Sequence, residues 1–133
     1  NSQFLNEGGT YMLLQEIAEI IEGQILTPEE DIENIEVYSA FASDLMSDVL
    51  AFASSDMLLL TGLTNPQSVR TAEMADMPAI LFVRGKYPPE RTIDLAARIG
   101  IAILLSPYTM FETSGLLYKA GLQGIGKLPI QQT

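Results

Sequence analysis

The stretch from Asp56 to Pro107, DMLLLTGLTNPQSVRTAEMADMPAILFVRGKYPPERTIDLAARIGIAILLSP, decides the fold of this chain. It contains three short apolar runs, MLLLT, AILFV and IAILL, and the first two are each followed within it by a segment of helical period. A strand that is apolar throughout is covered on both faces, which is typical of a parallel sheet. The alternation of strand and helix therefore predicts a parallel sheet with helices packed against it.

The segments on either side of this stretch extend the same pattern. Upstream, LLQEIAEIIEG predicts an amphipathic helix that ends at Gly23, QILT and IEVYSAF predict strands, and SDLMSDVLAFA predicts a helix capped by Ser43 or Asp44. Downstream, TMFETSGLLYKAG predicts a helix with a Thr109–Glu112 capping box and Gly121 at its end. Together these elements predict a three-layer α/β sandwich around a mostly parallel sheet of about five strands.

The chain length predicts one domain. Its 133 residues are enough for a single buried core and too few for two ordinary domains. We assign residues 12–128 to the domain and 129–133 to a tail. Residues 1–11 have no hydrophobic periodicity, and we interpret them as a disordered extension or a remnant of expression cloning.

The composition excludes several kinds of site. The chain has no Cys and no His, which excludes disulfides, thiolate metal sites, Ser-His-Asp and Cys-His catalysis and a histidine phosphoacceptor. No apolar run approaches the length of a membrane span, and no signal peptide precedes the domain, so we expect a cytoplasmic protein. The net charge of −10 argues against nucleic-acid binding and against an anionic membrane surface.

The charge is unevenly distributed along the chain. Residues 1–69 carry twelve acidic residues and no Lys or Arg, whereas residues 70–133 carry five acidic residues and all seven basic ones. One interpretation is that the acidic surface keeps the protein in solution. The other is that the few basic residues mark the place where an anion binds.

The sequence GLQGIGKL, residues 121–128, comes within one residue of a phosphate-binding loop. Gly121, Gly126 and Lys127 match the pattern G-x-x-x-x-G-K-[ST], but Leu128 stands at the hydroxyl position. A working loop also needs a strand before it and a helix after it. Here a predicted helix precedes it and Pro129 follows, so we interpret it as a helix end followed by a glycine-rich tail.

Polar and basic residues follow the apolar runs, at the points where the strands end. Ligands of open parallel sheets bind at the carboxyl ends of the strands. The loops TGLTN, RGKYP and SPYT follow the three runs, and SDLMSD precedes them, so we expect all four at one edge of the sheet. The predicted ligand-binding residues are Thr61, Gly62, Thr64, Asn65, Arg84, Gly85, Lys86, Asp44, Ser47 and Asp48.

Each loop also has a purely structural interpretation. Backbone amides at Thr61-Gly62, the start of a helix at Asn65-Pro66 and the charges of Arg84 and Lys86 would suit a phosphate or a carboxylate. Alternatively, TGLTN is a capped turn between strand and helix. The RGK loop is then a solvated turn with salt bridges to Asp44 or Asp48.

The two aspartates admit a third interpretation. Asp44 and Asp48 are spaced to share a helix face, where they could hold magnesium together with a ligand's phosphate, although acidic residues so placed more often cap the helix or pair with arginine. Ser47 has no base beside it in sequence, which gives a nucleophile role little support. We therefore expect no metal, no cofactor and no catalytic residue.

Four phrases, SDLMSDVL, LLLTGL, VRGKYP and YTMFETSGLLYKAGL, resemble the DRTGG domain over roughly Leu13 to Leu122. That module occurs in HPr kinase/phosphorylase, in CBS-domain proteins, in phosphotransacetylase-like proteins and alone. The signature that names the family is not literally present, and LTGL, Leu60 to Leu63, stands in its neighbourhood. The resemblance implies an α/β sandwich similar to the N-terminal domains of HPr kinase and of Mur ligases.

The resemblance also implies a bacterial regulatory or ligand-sensing module that often assembles as an oligomer. We therefore predict a non-catalytic module that binds a small anionic metabolite or nucleotide at the strand ends and forms a homodimer or a higher homo-oligomer. Two alternatives remain open. One is a protein-interaction or dimerisation domain, and the other is a subunit of an enzyme that acts on a phosphorylated substrate.

Overall fold

The three apolar runs form the centre of a five-stranded sheet. In the computed structural model, which describes residues 11–131, they are β5 (Met57–Thr61), β6 (Ala79–Phe82) and β7 (Ala102–Leu105), and every residue in them is buried. The other strands are β1 (Met12–Leu13), β2 (Gln24–Ile25), β3 (Glu36–Val37) and β4 (Ser39–Ala42). The helices are α1 (Leu14–Ile20), α2 (Met46–Phe52), α3 (Pro66–Met74), α4 (Glu90–Ile99) and α5 (Met110–Lys119), with a short 3-10 helix at Glu29–Asp31.

The sheet is mostly parallel, as predicted. Its strand order is β2-β7-β6-β5-β4, in which β4, β5, β6 and β7 run parallel and β2 pairs antiparallel with β7. The edge strand β4 also forms a parallel bridge between Ser39 and Gln123, which places the segment after α5 beside it. A separate two-stranded ribbon joins β1 to β3.

Two hydrophobic clusters, one on each face of the sheet, make the domain a three-layer sandwich. Leu58 and Leu60 of β5 pack in the cluster that contains α1 and α5. Met57 and Leu59 pack in the other cluster, with α2, α3 and α4. This alternation follows from the period of two along a strand, and it explains why the strands are apolar on both sides.

Several helix ends differ from the sequence prediction. Helix α2 begins after Leu45 without a side-chain cap, because the Ser43 hydroxyl accepts a hydrogen bond from Leu45 N (3.0 Å), an amide that precedes the helix, and not from an amide of its first turn. Thr109 is the N-cap of α5 as predicted, but its side chain forms no capping hydrogen bond. Helix α1 ends at Ile20, before Gly23.

Two predictions about strands and glycines are refined. IEVYSAF is two strands rather than one, since β3 pairs with β1 while β4 pairs with β5. Gly23 is needed for a different reason from the predicted one, because a Cβ at that position would overlap the carbonyl oxygen of Leu105 on the neighbouring strand.

The glycine-rich segment after α5 is a helix end, as predicted. Gly121 has φ 112°, its N–H donates to Tyr118 O (3.0 Å), and Leu122 N–H donates to Leu117 O (3.0 Å). This pair of hydrogen bonds terminates a helix through a left-handed glycine. No helix follows Lys127 within the residues that the structure describes, so GLQGIGKL lacks the context of a phosphate-binding loop.

None of the helices between residues 11 and 131 is both long enough and apolar enough to cross a membrane.

Candidate functional site

The loops that follow β4, β5, β6 and β7 meet at the carboxyl edge of the sheet, because these four strands are parallel. They hold seven of the ten predicted ligand-binding residues. Of the other three, Thr61 is the last residue of β5, and Ser47 and Asp48 lie in the first turn of α2. The hydrogen bonds divide this edge into two groups. One joins the β4 and β5 loops, and the other joins the β6 and β7 loops.

Asp44 joins the first two loops. One oxygen of its carboxylate, Oδ1, accepts hydrogen bonds from Gly62 N (2.7 Å) and from the Thr61 hydroxyl (2.9 Å). The Thr61 hydroxyl in turn accepts from Leu63 N (3.1 Å). The amide of Gly62 is therefore already paired with an acidic group of the protein itself.

This contact corrects the predicted relation between Asp44 and Asp48. Asp44 lies before the first residue of α2 and turns toward Gly62, so the two aspartates do not share a helix face. Asp48 is exposed in the first turn of α2, and Ser47 beside it is also exposed. Within residues 11–131 no group of three or more acidic residues is arranged to hold a metal ion.

The start of α3 is built as predicted. The Asn65 side chain accepts from Gln67 N (2.9 Å), and Pro66 occupies the first helical turn. The carbonyl of Thr64 accepts a 2.7 Å hydrogen bond from the buried hydroxyl of Thr92 in α4. These bonds fix the helix terminus, whose aligned peptide dipoles favour a negative charge nearby.

The RGK loop after β6 has an unusual backbone. Arg84 and Gly85 both have positive φ, 67° and 64°, and an arginine rarely adopts this conformation. Their amides donate to Tyr108 O and to Ser106 O, at 2.7 Å each, which ties the loop to the one after β7. The Arg84 and Lys86 residues are exposed, so their charges are available to solvent or to a ligand.

The hydroxyl groups of the SPYT loop have a structural role. Ser106 is fully buried, lies 2.8 Å from the hydroxyl of Thr113 in α5, and accepts from Tyr108 N (3.1 Å). Thr113 also donates to Tyr108 O (3.3 Å). This network supports the loop that holds Arg84 and Gly85 in their left-handed conformation.

Sequence reasoning missed two supporting residues, Thr92 and Thr113. Both are buried hydroxyls in the first turn of a helix that follows a strand, where a small polar residue can reach back to the loop. It also missed two cavities, of about 440 Å³ and about 370 Å³, and none of the ten predicted ligand-binding residues lines either one. The first lies between α4 and residues 26–35, and the second lies between α5 and β4.

Among known proteins, a solved structure with a similar fold was found, but no similar family model or curated sequence. No protein-family model matches the chain, and no curated protein matches it. The structure is similar to that of the CBS and DRTGG domains of the regulatory region of Clostridium perfringens pyrophosphatase, complexed with the activator diadenosine tetraphosphate. The TM-score is 0.70 at 15% sequence identity, and the match covers 92% of this chain and 52% of that chain.

The similarity supports a DRTGG-containing fold, in agreement with the resemblance seen in the sequence. At 15% identity it is a statement about the fold alone, and this chain matches only about half of that regulatory region, 52% of its length.

Proposed function

We propose that this chain is a non-catalytic regulatory module that binds a small anionic metabolite or nucleotide at the carboxyl ends of its strands. The observation that carries the proposal is the RGK loop, which holds two exposed basic residues, Arg84 and Lys86, at that edge in a chain of net charge −10. The start of α3 adds the positive end of a helix dipole at the same edge.

The internal hydrogen bonds limit how a ligand would be held. The amides of Gly62, Leu63 and Gln67 already donate to side chains of the protein, those of Asp44, Thr61 and Asn65. The direct contacts would therefore come from the Arg84 and Lys86 side chains. Arginine suits the planar, bidentate recognition of phosphate or carboxylate, whereas lysine supplies a compact point charge.

The comparison supports the regulatory part of the proposal. The similar structure belongs to the regulatory region of a pyrophosphatase and holds a nucleotide activator, diadenosine tetraphosphate. A chain with this fold would act on an attached or associated partner rather than on a substrate of its own.

The direct test is a thermal-shift screen of nucleotides, sugar phosphates and carboxylates. A ligand present at about 100 times its dissociation constant stabilises the native state by about 2.7 kcal/mol. We expect one class of anion to raise the melting temperature of the wild type, and we expect this rise to be lost in Arg84→Ala/Lys86→Ala.

The matched control is Arg98→Ala/Lys119→Ala, which removes the same charge from the last turns of α4 and α5. Equal loss in both double variants, or no shift with any anion, would contradict the proposal.

A second candidate function, self-association, is favoured by one surface. The cavity between α5 and β4 is bordered by Phe111 and Tyr118, which are 85% and 73% exposed. Exposed aromatic side chains beside an apolar groove are typical of a protein contact. Sedimentation of the wild type and of Phe111→Ser/Tyr118→Ser tests it, with Tyr87→Ser as the control at an exposed aromatic elsewhere. A monomer at all concentrations would reject this candidate.

A further inference from the structure

The larger cavity lies at the other end of the sheet from the strand-end loops. Its floor is the start of β7, Ile101 to Ile103, one wall is α4, and the facing wall is the segment of residues 26–35. Because the cavity lies at the start of β7, it is separate from the anion site proposed at the strand ends. Its volume of about 440 Å³ falls within the range of small-molecule sites.

Small residues on α4 create the space. Ala96, Ala97 and Gly100 line the cavity from the helix side, and none of them has a side chain that reaches the opposite wall. The cavity opens to solvent, since Ala97 and Gly100 are exposed. A ligand that covers its apolar walls would remove that apolar surface from water, which is favourable.

The wall formed by residues 26–35 is fixed in place. Leu26 N donates to Ile103 O (2.8 Å), and Ile103 N donates to the hydroxyl of Thr27 (2.8 Å). The segment then turns into the 3-10 helix at Glu29–Asp31, where Asp31 N donates to Pro28 O (3.0 Å). The cavity thus has a preformed outer wall held by hydrogen bonds to β7.

The charge of the lining selects the kind of ligand. Of the described residues that line the cavity, Asp31 is the ionisable one, and its neighbours Glu29 and Glu30 are also exposed acids. Anions would be repelled from this mouth, whereas a positive group would be attracted to it. Apolar walls with an acidic mouth suit a molecule that has an apolar body and a cationic end.

We propose that this cavity binds a small apolar amine, with its hydrocarbon part between α4 and residues 26–35 and its ammonium group beside Asp31. This proposal does not depend on the anion site, so an experiment can reject either proposal and leave the other standing. The ligand proposed here is a cation, whereas the ligand proposed at the strand ends is an anion.

The test uses three probes of similar size: phenethylamine, phenethyl alcohol and 3-phenylpropionate. Each is titrated into the full chain at millimolar concentrations and followed by amide chemical shifts in NMR. We expect shifts at Gly100 and Thr27 with the amine, weaker binding of the alcohol by about threefold or more, and the weakest binding of the carboxylate. Asp31→Asn should remove the advantage of the amine over the alcohol.

A cavity-filling variant tests the location. Ala97→Leu should abolish the binding of the amine, whereas Ala51→Leu, at an exposed alanine of α2, should leave it unchanged. Both positions are exposed on helices, so both variants are expected to fold. Unchanged binding in Ala97→Leu, equal binding of amine and alcohol by the wild type, or no shift with the amine would each overturn the proposal.

Discussion

The carboxylate of Asp44 accepts a 2.7 Å hydrogen bond from the backbone N–H of Gly62, although the two residues belong to different loops at the ends of adjacent strands. The same carboxylate oxygen accepts from the Thr61 hydroxyl at 2.9 Å. A charged acceptor strengthens such bonds, and it occupies an amide that a ligand could otherwise use. Asp44 thus stabilises the edge and also competes with any anion that approaches this loop.

Replacing Asp44 separates these two effects. Asp44→Ala should lower the free energy of unfolding by about 1–3 kcal/mol, because it removes the acceptor of Gly62 N and Thr61 Oγ1. Asp44→Asn keeps an acceptor but loses the charge, so its cost should be smaller. Asp48→Ala, at an exposed acid of α2, should change stability by less than about 0.5 kcal/mol. Urea denaturation measures all three, and an equal cost for Asp44→Ala and Asp48→Ala would show that the Asp44 contact is unimportant.

The sequence predicted the parts of the fold that depend on local pattern. The apolar runs at β5, β6 and β7 identified buried parallel strands, because strands covered on both faces lack the alternation of a half-exposed one. The capped start of a helix was predicted in TGLTN at Asn65-Pro66, and in the structure the Asn65 side chain caps α3 by accepting from Gln67 N. These features are set by a few neighbouring residues.

The sequence could not predict contacts between distant segments. The Asp44–Gly62 bond joins residues 18 positions apart, and nothing in SDLMSD indicates that Asp44 turns away from its helix. The cavity beside α4 depends on how residues 26–35 pass over β7, which no local pattern specifies. Likewise, the requirement for glycine at position 23 arises from Leu105, a residue far away in sequence.

The cap at the start of α3 gives a second stability prediction. Asn65→Ala should cost about 1 kcal/mol, because Gln67 N loses its side-chain acceptor. Asn65→Asp should retain the cap, and its negative charge at the helix N-terminus is favourable. Thermal unfolding compares the two variants, and a loss in Asn65→Asp as large as that in Asn65→Ala would contradict the capping role.

Two glycines provide a matched pair. Gly23→Ala should destabilise the fold by about 3 kcal/mol, since the added Cβ would overlap Leu105 O and force β2 away from β7. Gly115→Ala should stabilise it by about 0.5–1 kcal/mol, because a Cβ there meets no atom within 4 Å and alanine favours the helix. Urea denaturation midpoints of the two variants test this pair of predictions. An unchanged midpoint in Gly23→Ala would mean that residue 23 does not approach Leu105 O as closely as the structure shows.

Tyr11 and Asp56 give a prediction about pH. The Tyr11 hydroxyl donates to Asp56 Oδ2 (3.1 Å), and this hydrogen bond, together with the negative charge of Asp56, raises the pKa of Tyr11 above its ordinary value. The contact therefore contributes below the ordinary tyrosine pKa and is lost as the pH rises through the higher pKa of the folded state. Carbon-13 NMR of the Tyr11 ring should show a lower pKa in Asp56→Asn, and an unchanged titration would refute the contact.

Arg84 links strain to the proposed function. Its φ of 67° is one that a non-glycine residue adopts at a cost of about 1–2 kcal/mol, whereas glycine adopts it freely. Arg84→Gly should relieve that cost, so it should leave the free energy of unfolding unchanged or raise it by up to about 1 kcal/mol, while anion binding is lost. Lys86→Ala has no such strain to relieve, so it should weaken binding without raising stability. Stability and anion binding are measured on the same samples of each variant. If Arg84 adopts its unfavourable conformation in order to place its charge, Arg84→Gly should lose anion binding without losing stability. If Arg84→Gly binds the anion as well as the wild type does, Arg84 is not part of the anion site. If Arg84→Gly strongly lowers the stability, the arginine side chain supports the loop instead.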